Sequence, residues 1–273
     1  MGINRVYNTL NFIETNYNKQ LSIEELENVS CYSYRNIQRI FKYTCNETIG
    51  AYQKRLKLEN AYKMMLYTNE NLSQIAFEVG FESLAAFSKA FKQNYGISPK
   101  EAKSKKEILL RQNNITPIQS DVQLKFELVF IPQLKVYYQS TNTNYVNNEI
   151  EILWKKMELN NFQINTTEYY GLIIDEPLIT EKIKCRYDAC STVQSMNQML
   201  PHKTILGGRY AKFIHHGSYE TIEQTYKNIY SGWILNSRLE FDSSPIIEKY
   251  IAHASNSKNE KDFTTEILIP LKK

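Results

Sequence analysis

The chain has no run of apolar residues approaching the ~18 that a membrane span needs, and its 273 residues include only four cysteines and four histidines. Cys31, Cys45, Cys185 and Cys190 show no CxxC spacing and no paired framework. That argues for reduced thiols and against zinc or a disulfide scaffold. No Ser-His-Asp ordering, metal-ligand spacing or phosphate-binding glycine loop occurs, so no cofactor, metal or catalytic set is expected. The first residues, Met1-Gly2-Ile3-Asn4-Arg5, enter an amphipathic segment without a signal-peptide core. No membrane partner is expected, and the cytoplasm is the expected compartment. Apolar residues make up 42% and charged residues 23%, which excludes a disordered or fibrous chain.

What is abundant is tyrosine, at 20 residues, which points to an aromatic cavity or surface. Charge is unevenly placed. Residues 1–106 carry 15 Lys+Arg and 10 Asp+Glu, a net +5, while residues 107–273 carry 18 and 19, a net −1. A basic half suits a polyanionic partner, and a near-neutral half suits a different task. The pattern changes at the same place. Residues 1–100 read as helices broken by turns, and residues from about 122 onward read as strands mixed with helices. Between them, Lys103-Ser104-Lys105-Lys106 and Gln112-Asn113-Asn114-Ile115-Thr116-Pro117 form a polar stretch ending in proline. The expected boundaries are 1–106, a linker over 107–121, and 122–273.

In the basic half, Ser22-Ile23-Glu24-Glu25 has the form of a capping box. A short helix to about Val29, a turn at Cys31-Tyr32-Ser33 and a second helix capped by Ser33 follow. In that second helix Ile37, Ile40 and Phe41 face inward, while Arg35, Gln38, Arg39 and Lys42 line the opposite face beside Asn36. Arg can fork onto guanine, Gln onto adenine, and Lys can reach phosphate. The pattern returns near residue 71. Gly80 stands where a positive φ is useful, Phe87 and Phe91 face inward, and Ser83, Ala85, Ser88, Lys89, Lys92 and Gln93 are the candidate contacts. Ser33, Ile37, Arg39, Phe41 and Lys42 match Ser83, Phe87, Lys89, Phe91 and Lys92 at a fixed offset of 50. Residues 52–66 read as one helix joining the two units. Leu84, Ala85 and Ala86 offer no hydrogen bonds, so the first helix is expected to carry most base readout and the second mostly phosphate contact.

Ile75-Ala76, Val79-Gly80-Phe81-Glu82-Ser83, Phe87-Ser88-Lys89-Ala90-Phe91-Lys92 and Gly96-Ile97-Ser98-Pro99 resemble the AraC/XylS family of transcription regulators over residues 5–100. The resemblance implies two recognition helices entering successive major grooves of double-stranded DNA, about 34 Å apart, together with activation through RNA polymerase. Glu27 and Cys31 depart from the Ala and Gly usual in the first unit.

The second half contains an internal repeat. Its first copy runs Phe126–Tyr138, a helix near Glu149–Leu159, and strands near Tyr169–Ile174 and Lys184–Val193. Its second runs Tyr210–His216, a helix near Tyr219–Leu235, and strands near Ile246–Ala252 and Thr264–Leu271. Two such copies can pack their sheets side by side and leave a cleft between them. Tyr187-Asp188-Ala189-Cys190, Gly217-Ser218-Tyr219, Trp233, Glu248, Tyr250 and Thr265-Glu266-Ile267-Leu268-Ile269-Pro270 resemble the GyrI-like effector domain of Rob-like regulators, over about residues 122–273. The first copy's loop, Ser140 to Tyr145, lacks the family's glycine and histidine. The resemblance implies an inward glutamate ringed by aromatics, with Glu248 and Glu266 as candidates and Tyr187, Phe213, Tyr219, Trp233 and Tyr250 as walls. A carboxylate taken out of water suits a cationic or amphipathic ligand. The implied fold is an all-α double helix-turn-helix domain followed by an α+β domain of two strand-helix-strand-strand repeats. The implied function is a transcription regulator that senses a small molecule, and not an enzyme. Two alternatives stay open. One is a GyrI-like hydrolase of reactive small molecules using Glu248 or Glu266 with Tyr187 or Tyr250. The other is a regulator whose second half is a protein-contact or sequestration surface. His215 and His216 read as structural strand-end residues.

Overall fold

The computed structural model describes residues 2–113, 115, 124–142, 149–161, 166–181, 184–193, 201–234, 236–242, 244–254 and 256–272. The chain divides into two compact units, Met1–Lys105 and Lys106–Lys273. Among the described residues no helix is long and apolar enough to cross a membrane.

The first unit is all helical: α1 (Gly2–Thr15), α2 (Ile23–Ser30), α3 (Tyr34–Cys45), α4 (Ile49–Tyr67), α5 (Leu72–Glu78), α6 (Leu84–Tyr95) and α7 (Pro99–Ser104). Local chemistry sets the ends. The Ser22 hydroxyl accepts from the Glu25 amide at 3.1 Å, and the Glu25 carboxylate accepts from the Ser22 amide at 2.8 Å. Asn71 and Gln74 repeat this reciprocal cap on α5, satisfying amides that the first turn leaves without intrahelical partners. Ile13, Leu26, Ile37, Phe41, Ile49, Tyr52 and Leu56 form one core. Tyr62, Phe81, Phe87, Phe91 and Tyr95 build a chain of ring contacts on the other side of α4. The second half of α4 is buried nearly all round, even at Glu59 and Lys63. Arg55 neutralises the buried acids, meeting Glu47 at 2.7 Å and Glu59 at 3.1 Å. Gly80 is needed twice over. Its φ is 82°, and a Cβ there would stand 2.6 Å from the Asn18 carbonyl carbon.

The second unit opens with α8 (Glu107–Gln112). The expected linker therefore begins as a helix, because Leu109 and Leu110 form an apolar pair that is buried. Its remaining part at 114 and 116–121, like Thr143, Asn144 and Tyr145 of the first-copy loop, lies outside the described residues. Then come β1 (Glu127–Ile131), β2 (Leu134–Asn142), α9 (Glu149–Asn161), β3 (Thr166–Ile173), β4 (Arg186–Val193), β5 (His202–Ile205), β6 (Gly208–His216), α10 (Ile222–Asn228), β7 (Ile246–Ala252) and β8 (Thr264–Leu271). A single 3-10 turn at Tyr219–Thr221 precedes α10, and a wider π turn over Ile229–Ile234 continues it. The expected single strand over 126–138 is split at Pro132, and the four-residue β5 went unpredicted.

All eight strands form one antiparallel sheet in the order β1-β6-β8-β7-β3-β4-β2-β5. Its middle seam is β7 beside β3, with the second copy's β6, β8 and β7 on one side and the first copy's β3, β4 and β2 on the other. The outermost strands are exchanged: β1 pairs with β6 and β5 with β2. The two ladders are one. Glu127↔Lys212 runs to Ile131↔Gly208, and the same register resumes at Leu134↔Ile205 and runs to Tyr137↔His202. Since only Pro132 and Gln133 separate β1 from β2, the sheet must curl until its first and seventh strands meet. Gly207 sits at that crossing, where a Cβ would stand 2.6 Å from the Gln133 amide nitrogen and 3.0 Å from the Ile131 carbonyl oxygen. Gly207→Ala is expected to destabilise the second unit by about 1–3 kcal/mol, as overpacking does. The check is a lower denaturant midpoint with an unchanged slope.

Candidate functional site

The two helix-turn-helix units present α3 and α6 in matching ways. Ile37 and Phe41 on α3, and Phe87 and Phe91 on α6, are fully buried. Arg35, Asn36, Gln38, Arg39 and Lys42 are exposed on α3, as are Ala85, Lys89, Lys92 and Gln93 on α6, while Ser88 is half-buried. Lys42 and Lys92 lie in the last turns of their helices. The offset of 50 holds through the left-handed caps Asn46 and Gly96 and the next N-caps, Thr48 and Ser98. It drops to 49 for the first helices, whose caps are Ser22 and Asn71. The second unit therefore spends one more residue between its two caps, with α5 one residue shorter than α2 and the turn after it two residues longer. The caps of the reading helices also differ. The Ser83 oxygen accepts the Ala86 amide at 3.2 Å, which spends one of its two lone pairs on the cap. Ser33 makes no such bond. Instead the Glu27 carboxylate accepts the Tyr34 amide at 2.6 Å, so the acid at a position usually held by Ala fastens the start of α3. Cys31 takes a left-handed φ of 52°, the conformation that glycine adopts without cost.

In the second unit the sheet register decides which side chains meet. Glu248 on β7 pairs across the seam with Gly171 on β3 and on its other side with Ile267 on β8. The Glu248 side chain is 6% exposed. The Tyr226 hydroxyl donates to one carboxylate oxygen at 2.8 Å, and the Tyr250 hydroxyl donates to the other at 2.5 Å. The Tyr250 proton is thus committed, so in the 2.5 Å Tyr187–Tyr250 contact Tyr187 is the donor. Trp154 on α9 sets its ring edge-on to Tyr250 at 5.3 Å. The chain Tyr187, Tyr250, Glu248 thus points its protons toward the acid. Gly171 makes room for it: a Cβ there would lie 2.7 Å from Tyr187 Cζ and 2.9 Å from the Tyr250 hydroxyl. Tyr219, 38% exposed, packs its ring on Tyr250 at 5.6 Å and on Phe263 at 5.2 Å.

These neighbours pull the acid in opposite directions. Burial raises the Glu248 pKa, and the phenol hydrogen bonds of Tyr250, Tyr226 and Tyr187 lower it; burial wins, and the net shift is upward. The Tyr187 and Tyr250 hydroxyls are pushed well above the ordinary phenol value, first by burial and then by the charge of Glu248. The result is a single acid, shielded from water, whose ionised form gains from any cation that replaces the missing solvent.

GyrI-like small molecule binding domains match this chain over residues 124–272, and a helix-turn-helix domain matches residues 26–105. The chain belongs to the GyrI-like family. It is a DNA-binding transcription regulator with a GyrI-like small-molecule-binding domain. Among its relatives are two candidate transcriptional regulators by name. One is the SPbeta prophage-derived YosT of Bacillus subtilis (strain 168), 28% identical over 54% of this chain and 99% of that protein. The other is YgiV of Escherichia coli (strain K12), 26% identical over 44% of this chain and 76% of that protein. A cryo-EM structure of an EcmrR–DNA complex is similar over 86% of this chain and 98% of that one, at 16% identity and a TM-score of 0.48.

The GyrI-like domain brings together four of the expected residues, Glu248, Tyr250, Tyr187 and Tyr219, and separates three. Glu266 is a correction. It pairs with Lys249, the residue beside Glu248, and so projects from the opposite face of the sheet. There it is half-exposed and 3.6 Å from Lys212, which also meets Glu127 at 2.7 Å. Phe213 and Trp233 contact each other at 4.9 Å and pack with Phe126, and Trp233 also packs with Phe241. They form an aromatic cluster of their own and make no ring contact with Tyr250 among the described residues. His215 is structural as expected. Its Nε2 faces the Ser218 carbonyl at 3.1 Å and therefore donates, and its Nδ1 meets the Thr225 hydroxyl at 2.8 Å, which ties β6 to α10. Two residues went unread, Trp154 and, on α3, Tyr43, and Tyr226, which shares in the family resemblance, was not expected at the acid. Tyr43 is 92% exposed and follows Arg39 by four residues, which is the helical signal that places it on the same face.

Proposed function

We propose that the GyrI-like domain receives a cationic or amphipathic small molecule at Glu248 and that occupancy alters transcription from DNA held by α3 and α6. The observation that carries this reading is one buried carboxylate at the repeat seam, held by two phenol donors and walled by Tyr187, Tyr219 and Trp154. Aromatic faces beside a desolvated acid attract cations, each good contact contributing about 0.5–2 kcal/mol. In the reading unit, Arg35, Asn36, Gln38, Arg39 and Lys42 read bases and backbone, Tyr43 joins them, Lys89 and Lys92 hold mainly phosphate beside Ser83, Ser88 and Gln93, and the Ala85 methyl touches bases. The functional boundaries we assign are 1–106 and 122–273, and contact with RNA polymerase in the cytoplasm completes the proposal. In this reading the acid acts as a binding group, its two oxygens oriented by the Tyr226 and Tyr250 phenol protons.

Ligand can shift such a regulator only through a difference in affinity between its states. The test follows tryptophan emission while tetraphenylphosphonium is titrated into the full chain. The chain has two tryptophans, and Trp154 is the one in the site. Quenching is expected to survive Trp233→Phe and to vanish in Trp154→Phe. Quenching that depended on Trp233 alone would move the receptor away from Glu248.

A further inference from the structure

Outward from the seam, the two copies have the same strand order, β3-β4-β2 and β7-β8-β6. β4 and β8 have eight residues each, and β2 and β6 have nine. Start to start, Tyr187 falls on Thr265 and Ala189 on Ile267. Their partners across β3 and β7 are Gly171 for Ala189 and Glu248 for Ile267, so Gly171 and Glu248 are equivalent too. They also pair with each other, which puts this pair on the axis relating the copies. The site is therefore asymmetric by substitution at equivalent places. One copy supplies the acid and the other a glycine. One supplies a tyrosine that reaches the acid through Tyr250, and the other supplies Thr265.

Thr265 is fully buried, and its hydroxyl has no hydrogen-bond partner among the described residues. A buried hydroxyl left unmatched is costly, and such groups in native proteins call for a reason. Register fixes where Thr265 stands. It pairs with Tyr250 on one side and His215 on the other, on the face that carries Glu248. The hydroxyl of His215's partner Thr225 and the Ser218 carbonyl already occupy that imidazole. Glu248 and Thr265 are diagonal neighbours, whose side chains start roughly 7–8 Å apart. Tyr219 covers this corner, resting on Tyr250 and Phe263.

We propose that Thr265 is a ligand-contacting residue, and that the molecule received is a cation bearing a hydrogen-bonding group about 7 Å from its charged centre. The inference rests on the receptor reading of Glu248 and adds the second anchor that reading lacks. A plain lipophilic cation satisfies the acid and leaves Thr265 unmatched, whereas a bifunctional one satisfies both.

The test compares two probes on the full chain by calorimetry: benzyltrimethylammonium and its para-carboxamide derivative, whose amide lies at about the required separation. The wild type is expected to prefer the carboxamide about tenfold. Thr265→Val keeps the shape, removes the hydroxyl and abolishes the preference, while leaving affinity for the plain ammonium unchanged. Thr265→Ser restores the preference and guards against a variant that loses the site through misfolding. An equal ratio of affinities in wild type and Thr265→Val overturns the inference and leaves the hydroxyl to an internal water, with the receptor reading intact. Failure of the wild type to bind either ammonium overturns the receptor reading and this inference together.

Discussion

Glu248→Gln is expected to weaken binding of a lipophilic cation by about 30-fold or more, the ~2 kcal/mol lower bound for removing one member of a buried charge pair. The same change is expected to stabilise the unliganded protein by about 1–2 kcal/mol, because an amide of the same shape is cheaper to bury than a carboxylate. Opposite signs in the two measurements distinguish a binding acid from one that merely holds the fold. The pH dependence follows from burial raising the Glu248 pKa. In the folded protein the proton is held more tightly than in the unfolded chain. Stability is therefore greatest below the ordinary carboxyl pKa and falls as pH rises through the raised one. Cation affinity runs the other way and grows over the same interval. Both dependences should vanish in Glu248→Gln, as read by denaturation and titration across pH 4 to 8, the range spanned by ordinary and strongly raised carboxyl values. A wild-type affinity independent of pH there would remove Glu248 from the site.

Arg39→Ala is expected to cost about 1–3 kcal/mol on a preferred duplex, ten- to hundredfold in affinity, while binding to random duplex changes far less. Lys92→Ala should weaken both equally and lower the salt slope by about one released counterion. Both residues are exposed on their helices, and their neighbours differ. Arg39 stands among Arg35, Gln38 and Asn36, groups that can match base edges. Lys92 stands on a helix that opens Leu84-Ala85-Ala86 and has little to read with. Sites selected from a random duplex library would show the difference directly. If both variants lost affinity without losing selectivity, the division between α3 and α6 would be wrong.

The helical half was the more legible because its signals are local. The Ser22 capping box, the Gly80 turn and the inward Ile37, Phe41, Phe87 and Phe91 are each decided within a few residues. Glu27 was visible only as a departure from the usual Ala, because its partner, the Tyr34 amide, lies seven residues on, across the turn. In the sheet, strand positions were readable but faces were not. Alternation identifies a face only when one side is wet. In β8 the stretch Ile267–Leu271 is buried throughout, so nothing in the sequence ranked Glu266 below Glu248. Pairing with Lys249 settled it. Trp233 drew attention through its neighbours in sequence, whereas Trp154 reaches the acid from the other copy, a relation that only the seam creates. Tyr226 is the same case within one copy, 22 residues from Glu248.

The crossed ladder at Gly207 bears on how the second unit can be divided. Each copy lends its leading strand to the other, so neither is a module that folds alone, and severing the chain between β4 and β5 would yield fragments that are obligate complements.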